Sequence, residues 1–269
     1  MPDIMNSLYN IRLLDSLARK ETPVHRMHPL VKVLVTLIFL IFVVSFDRYE
    51  VIRLMPFFLY PVIIFMLSDI PAIPFLKRIM LAMPFVIGIG ILNPLFDKHI
   101  LLINGVAISR GWVSFFSILI KSVLTIAAGI LLIATTGMDK LAAALRMLKI
   151  PKILVLQLLL TYRYISILME EVARTIRAYL LRAPMQKGIH RSAWGSLAGQ
   201  LLIRTYDRGQ RVYHAMCLRG FSGEYNTGDN ARLNIKDYVY LLCWALFFVV
   251  AKIYNIPLII ESILAGVIR

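Results

Sequence analysis

Apolar runs of bilayer-spanning length alternate along this chain with short polar breaks. The first, Leu30 to Phe46, follows a His28-Pro29 pair suited to a helix start and ends at the polar turn Asp47-Arg48-Tyr49-Glu50. The second, Val51 to Leu67, carries Pro56 and Pro61, which predict a kinked helix. A loop with Asp69, Pro71 and Pro74 leads through Lys77 and Arg78 to a third run, Ile79 to Phe96, where Gly88 and Gly90 allow close helix approach. In the loop from Asp97 to Gly111, Asn104-Gly105 between Ile103 and Val106 predicts a small hairpin. Trp112 to Ala134 is the fourth run and Ile235 to Lys252 the fifth. About 20 apolar residues cross the roughly 30 Å hydrocarbon layer, so these five are the predicted transmembrane helices. A last apolar stretch, Leu258 to Ile268, is short enough to be interfacial or re-entrant.

Between the fourth and fifth runs the pattern changes. Thr136-Gly137-Met138-Asp139 breaks the fourth, and Lys140 to Leu148 reads as a short amphipathic helix. Pro151 then opens a long helix to Arg182. Its first half, Ile153 to Met169, is apolar enough to cross, yet Arg163 sits near its centre, where a charge is costly. The pattern therefore predicts a helix lying along or under the membrane. After a link with Gly188 and Ser192, Trp194 starts a second long helix. Leu202, Tyr206, Gly209, Tyr213 and Met216 form its packing stripe, with Arg204, Arg208 and Arg211 on other faces. The fold class is all-α: a polytopic membrane protein with about five transmembrane helices plus cytoplasmic coupling helices. Its regions are 1–136, 137–234 and 235–269.

Composition supports this. The chain is 59% hydrophobic, with a mean hydropathy of +0.75, above the roughly half-apolar level of soluble chains. The net charge of +15 is unevenly placed. Residues 1–32 hold five Lys and Arg and residues 138–237 hold sixteen, whereas the loops 47–50 and 97–111 hold three between them. The positive-inside rule makes the N-terminus and the region before the fifth run cytoplasmic. The basic residues flank membrane spans, which argues against nucleic acid as a partner. Cys217 and Cys243 lie far apart in unlike surroundings, so no disulfide framework is indicated, and residues 1–26 lack the order of a signal peptide.

The polar region carries a duplicated pattern. Glu170, Arg174, Ala178, Leu181 and Arg182 recur 37 residues on as Asp207, Arg211, Ala215, Leu218 and Arg219. On a helix these offsets fall close to one face. Each copy meets a helix stop, Ala183-Pro184 in the first and Gly220 in the second. Two helices thus end by presenting one arginine each, where a cation complements the helix dipole and a guanidinium suits carboxylates of a partner.

Catalytic chemistry is not evident. There is no Walker A loop, zinc-protease motif or Cys-x-x-Cys, and Gly88-Ile89-Gly90 has Asn93 where a dinucleotide fingerprint needs glycine. A cleft enzyme using Arg163, Glu170 and Glu171 is the rival from another class, but these residues more simply pair with Arg174 at i,i+3 and i,i+4. His25 and His28 have metal-pair spacing without a third ligand, so neither a metal site nor a cofactor is assigned. Lys121, inside the fourth run, is a functional candidate by type, its plainer reading being a side chain that snorkels. Any energy for transport must come from a partner.

Several stretches resemble the transmembrane T subunit of energy-coupling factor transporters, of the cobalt/nickel type. They are Thr136 to Leu141, Leu145 to Pro151, Leu160 to Ile165, Arg204 to Tyr213 and Ala215 to Phe221, together with the His28-Pro29 start. The likeness covers most of the chain. It implies a non-catalytic subunit of a prokaryotic cell (inner) membrane transporter, with two Ala-Arg-Gly-like signatures, each docking on one of two ABC-type ATPase subunits. Here these fall at Leu181-Arg182-Ala183 and Leu218-Arg219-Gly220, with Leu in place of the first Ala in both and Ala183 in place of Gly. The arginines are kept. The resemblance further implies a separate substrate-binding membrane subunit that captures cobalt or nickel, and allows a small accessory subunit. A general T subunit serving vitamin-binding partners is the rival within transport.

Overall fold

A computed structural model describes residues 17–18, 20, 22–97, 100–103, 106–182, 188–223 and 233–254. The helices are α1 (Pro29–Val44), α2 (Leu59–Leu67), α3 (Ala72–Gly90), α4 (Leu92–Phe96), α5 (Arg110–Thr136), α6 (Met138–Met147), α7 (Lys152–Arg182), α8 (Arg191–Leu218) and α9 (Ile235–Ile253). A 3₁₀ segment, Ile52–Phe58, precedes α2, and one antiparallel hairpin pairs β1 (Ile100–Ile103) with β2 (Val106–Ser109). The turn of that hairpin, and the stretch Leu258 to Ile268, lie outside the described residues. The protein is an all-α polytopic membrane protein. By length and composition Ala72–Phe96, Arg110–Thr136 and Lys152–Arg182 could each cross a membrane, and Pro29–Val44 and Ile52–Leu67 are shorter apolar helices.

The chain divides into two compact units, one holding the described residues 17–137 and 233–254, the other 138–182 and 188–223. In the first, Pro29 opens α1 behind His28, whose ring Nδ1 accepts from the Leu30 amide at 3.2 Å. Pro56 lies inside the 3₁₀ segment, so the predicted kink takes the form of a tighter helix running into α2. The third run starts earlier than its hydropathy suggests, at Ala72, and breaks at Ile91 before α4. Of its two glycines, Gly90 meets α5, since a Cβ there would lie 2.9 Å from the Phe115 ring, whereas Gly88 has open space. Gly111 is tighter: a Cβ would lie 2.5 Å from the Pro94 Cα and 2.7 Å from the Asn93 carbonyl oxygen.

The core of this unit is aromatic. Phe39, Phe57 and Phe248 are fully buried, with the Phe57 and Phe248 rings stacked at 5.8 Å and Phe39 and Tyr60 at 4.7 Å. Lipid offers apolar chains no less greasy than this interior, so close dispersion contact and buried hydrogen bonds hold such a core. One such bond joins the Thr36 and Tyr60 hydroxyls at 3.0 Å.

Charged groups tie the helix ends. Lys32, buried in α1, donates to the Thr135 carbonyl at the end of α5 (2.8 Å), and Lys121 of α5 donates to the Phe46 carbonyl just past α1. The two helices are therefore antiparallel, each lending a lysine to the negative end of the other. Asp237 ties α9 to the start of α1 by accepting from the His28 amide (3.0 Å), and Lys252 reaches the Ser45 hydroxyl (2.6 Å) at the other end. α1 and α9 run parallel.

Candidate functional site: two arginine tips on an antiparallel helix pair

In the second unit, Ala142, Val155 and Leu159 are buried together, joining α6 to the start of α7. α7 then continues unbroken to Arg182. Its last turn exposes Leu181 (82%) and Arg182, with Ala183 outside the described residues. α8 ends on Leu218 (90% exposed), and Arg219 is its cap residue. Gly220 follows at φ +81°, where a side chain would be strained. The Phe221 amide donates to the Met216 carbonyl and the Gly220 amide to Cys217, both at 3.0 Å. These two bonds make a Schellman stop, which holds Arg219 just beyond the final turn.

Each tip is therefore a bare leucine beside a guanidinium at the negative end of a helix. Ala178 and Ala215, four residues before the arginines, are exposed and small, leaving that face clear. A tip leucine that a partner covers contributes on the order of 1.5–3 kcal/mol.

The other motif residues lie where α7 and α8 face each other, Arg174 on Glu171 and Asp207 and Arg211 on the cavity beside it. Glu171 accepts from Arg174 Nη2 (2.8 Å) at Oε2 and from Arg204 Nη1 (3.1 Å) at Oε1, and Arg208 Nη2 stands 3.9 Å from Oε2. The first is the expected i,i+3 pair. Arg204, from α8, fastens the helices together, and Arg208 adds its charge nearby. Glu171 lies past the apolar run Ile153 to Met169, and its arginine hydrogen bonds, that of Arg174 foremost, hold its carboxyl below the usual range. A cavity of about 350 Å³ adjoins it, lined in part by Asp207 and Arg211. Glu170 is half-buried beside it, and Arg163 is exposed.

Farther along, Tyr179 of α7 accepts from the His190 amide before α8 (3.4 Å), whereas Ile153, Met216 and Phe221 line one groove at the other end. The helices are thus antiparallel and their tips point apart. Arg182 lies 11 residues beyond Glu171 and Arg219 lies 15 beyond Arg204, so at 1.5 Å per residue the tips are separated by up to roughly 40 Å.

The predicted packing stripe of α8 is corrected here. Leu202, Tyr206 and Tyr213 are 70%, 64% and 58% exposed, and α8 buries no residue. Gly209, Tyr213 and Met216 line the groove with α7, but among the described residues of this unit no further layer covers the stripe. Sequence reasoning also missed that Arg204 and Arg208, one turn apart, face Glu171, and that Lys32 and Asp237 tie helix ends. A lone Lys32 in the first apolar run was the available signal. Among the described residues no three His, Cys, Asp or Glu side chains gather as metal ligands do.

Comparison with known proteins adds the family. The family model described as "CbiQ: Cobalt transport protein" matches residues 20–228. Uncharacterized protein MJ1571 of Methanocaldococcus jannaschii is 28% identical over 188 residues, which is 65% of this chain and 64% of that protein. The nickel permease LarQ of Lactiplantibacillus plantarum is 30% identical over 117 residues, 42% of this chain and 43% of the permease. The chain thus spans about two-fifths to just under two-thirds of the length of these curated relatives. The match over residues 20–228, on a chain of bilayer-length apolar helices, means that this chain belongs to the CbiQ family of cobalt transport proteins.

Proposed function

We propose that the chain is the transmembrane energy-coupling subunit of an energy-coupling-factor-type ABC importer for cobalt or nickel ions. Its helices fall into an N-terminal membrane region (1–136), a coupling region (137–234) and a C-terminal membrane region (235–269). The observation that carries this reading is the pair of exposed Leu-Arg tips on antiparallel helices. Tips pointing apart by tens of ångströms suit two receptors, one on each of two ATPase subunits, rather than a single pocket. When the ATPases close on nucleotide the tips move together, and α7 and α8 pass that motion to a separate substrate-binding membrane subunit, with a small accessory membrane subunit as a further partner. The chain supplies motion, not catalysis.

The charge asymmetry supports a cytoplasmic N-terminus and coupling region in a prokaryotic cell membrane. α7 has the length of a crossing, but exposed Arg163 and the arginines beyond it argue for a surface position. The nickel permease relative and the cobalt family description support the ion class.

The test is Arg182→Glu combined with Arg219→Glu. ATPase copurification from membranes and uptake of radiolabelled cobalt and nickel should both be lost, with membrane abundance retained. Intact copurification and uptake would sink the proposal.

A further inference from the structure

We propose that the space between α7 and α8 is a binding site for an anionic phospholipid. Two neighbouring hollows carry the argument. One is the basic cavity of about 350 Å³, whose wall includes Arg204, Arg208 and Arg211 against Glu171 and Asp207. The other is an apolar groove of about 590 Å³, lined among others by Ile153, Leu156, Leu160, Val212 and Met216. Leu168, Thr205 and Arg208 belong to both, so the polar and apolar spaces are continuous.

Charge decides the head of the ligand. Both Glu171 oxygens already accept from Arg174 and Arg204. Arg208 stands 3.9 Å away, beyond hydrogen-bond length, so this carboxylate leaves its donors available at the mouth of the groove. A phosphodiester takes paired guanidinium donors well. Shape decides the tail. From Leu168 back to Ile153 the groove follows 15 residues of α7, roughly 22 Å at helical rise, enough for an acyl chain of half the ~30 Å hydrocarbon layer. A charged head joined to an apolar tail satisfies both hollows, as basic pockets at the cytoplasmic side do elsewhere. A free phosphate would leave the groove empty. The inference rests on only one part of the function proposed above, the placing of α7 and α8 at a membrane surface.

The test uses the full chain purified in detergent, with phosphatidylglycerol or phosphatidylcholine added and retained lipid read by native mass spectrometry. Phosphatidylglycerol should be retained at least tenfold more than phosphatidylcholine. Arg208→Gln should abolish that preference and Arg208→Lys should keep most of it, separating loss of charge from misfolding. Millimolar inorganic phosphate should not displace the lipid. Arg182→Glu with Arg219→Glu should bind it normally, so failure here and failure of ATPase coupling are distinguishable. Equal retention of the two lipids, an unaltered Arg208→Gln variant, full displacement by phosphate, or loss of the lipid whenever the substrate-binding subunit is added would each overturn the proposal.

Discussion

Lys121 shows how one residue can be marked by its type and explained only by its surroundings. Its type and place in an apolar run marked it, and snorkelling was the plain reading. The structure gives its head a partner, the Phe46 carbonyl at the end of α1, with Lys32 making the mirror contact to Thr135. Neither partner was readable, because each is a backbone atom 75 or 103 residues away. Lys121→Met should leave an unsatisfied carbonyl and cost about 1–3 kcal/mol. Thermal unfolding in detergent should therefore start several degrees lower, while Lys121→Arg stays near the parent. Gly220 is the opposite case, legible from sequence as a helix stop and found at φ +81°. Gly220→Ala should cost about 1–2 kcal/mol of backbone strain and tilt Arg219. On the proposed coupling role, ATPase binding should weaken by up to about tenfold, with helix content by circular dichroism unchanged.

At the scale of elements, hydropathy located the helices well because a membrane demands continuous apolar runs. It misplaced the start of α3, where Lys77 and Arg78 look like loop residues yet lie inside the helix. It also read α8 as carrying a packing stripe, of which Leu202 and Tyr206 are exposed, since periodicity reports an apolar face and not what covers it. The α7/α8 tie depends on Glu171. Glu171→Gln removes the charge that Arg174 and Arg204 share, and should broaden the distance between spin labels on the two helices. Because the Glu171 carboxyl titrates below its ordinary range, the tie's contribution is full above that range and is lost as pH falls through the depressed value. Distances measured at neutral pH should match the tied state, and broadening should begin only in acid.

For the whole molecule, the described residues of one unit fall between 138 and 223, and those of the other come from both sides of that stretch. The closing contact of the assembled unit is made by Asp237, which caps α9 and accepts from the His28 amide. Asp237→Ala removes both and should cost on the order of 1–3 kcal/mol, seen as lower yield of monodisperse protein and an earlier unfolding transition. No local pattern predicts such a tie, since its ends are 209 residues apart. It has a consequence for synthesis. Phe248 completes the aromatic seat begun by Phe39 and Phe57, and leaves the ribosome about 200 residues after them. At about 5–20 residues per second, that is on the order of 10–40 s of waiting. During this interval the earliest inserted helix stands in lipid with its seat open, so a chain cut short before α9 offers membrane proteases a ready mark of incompleteness.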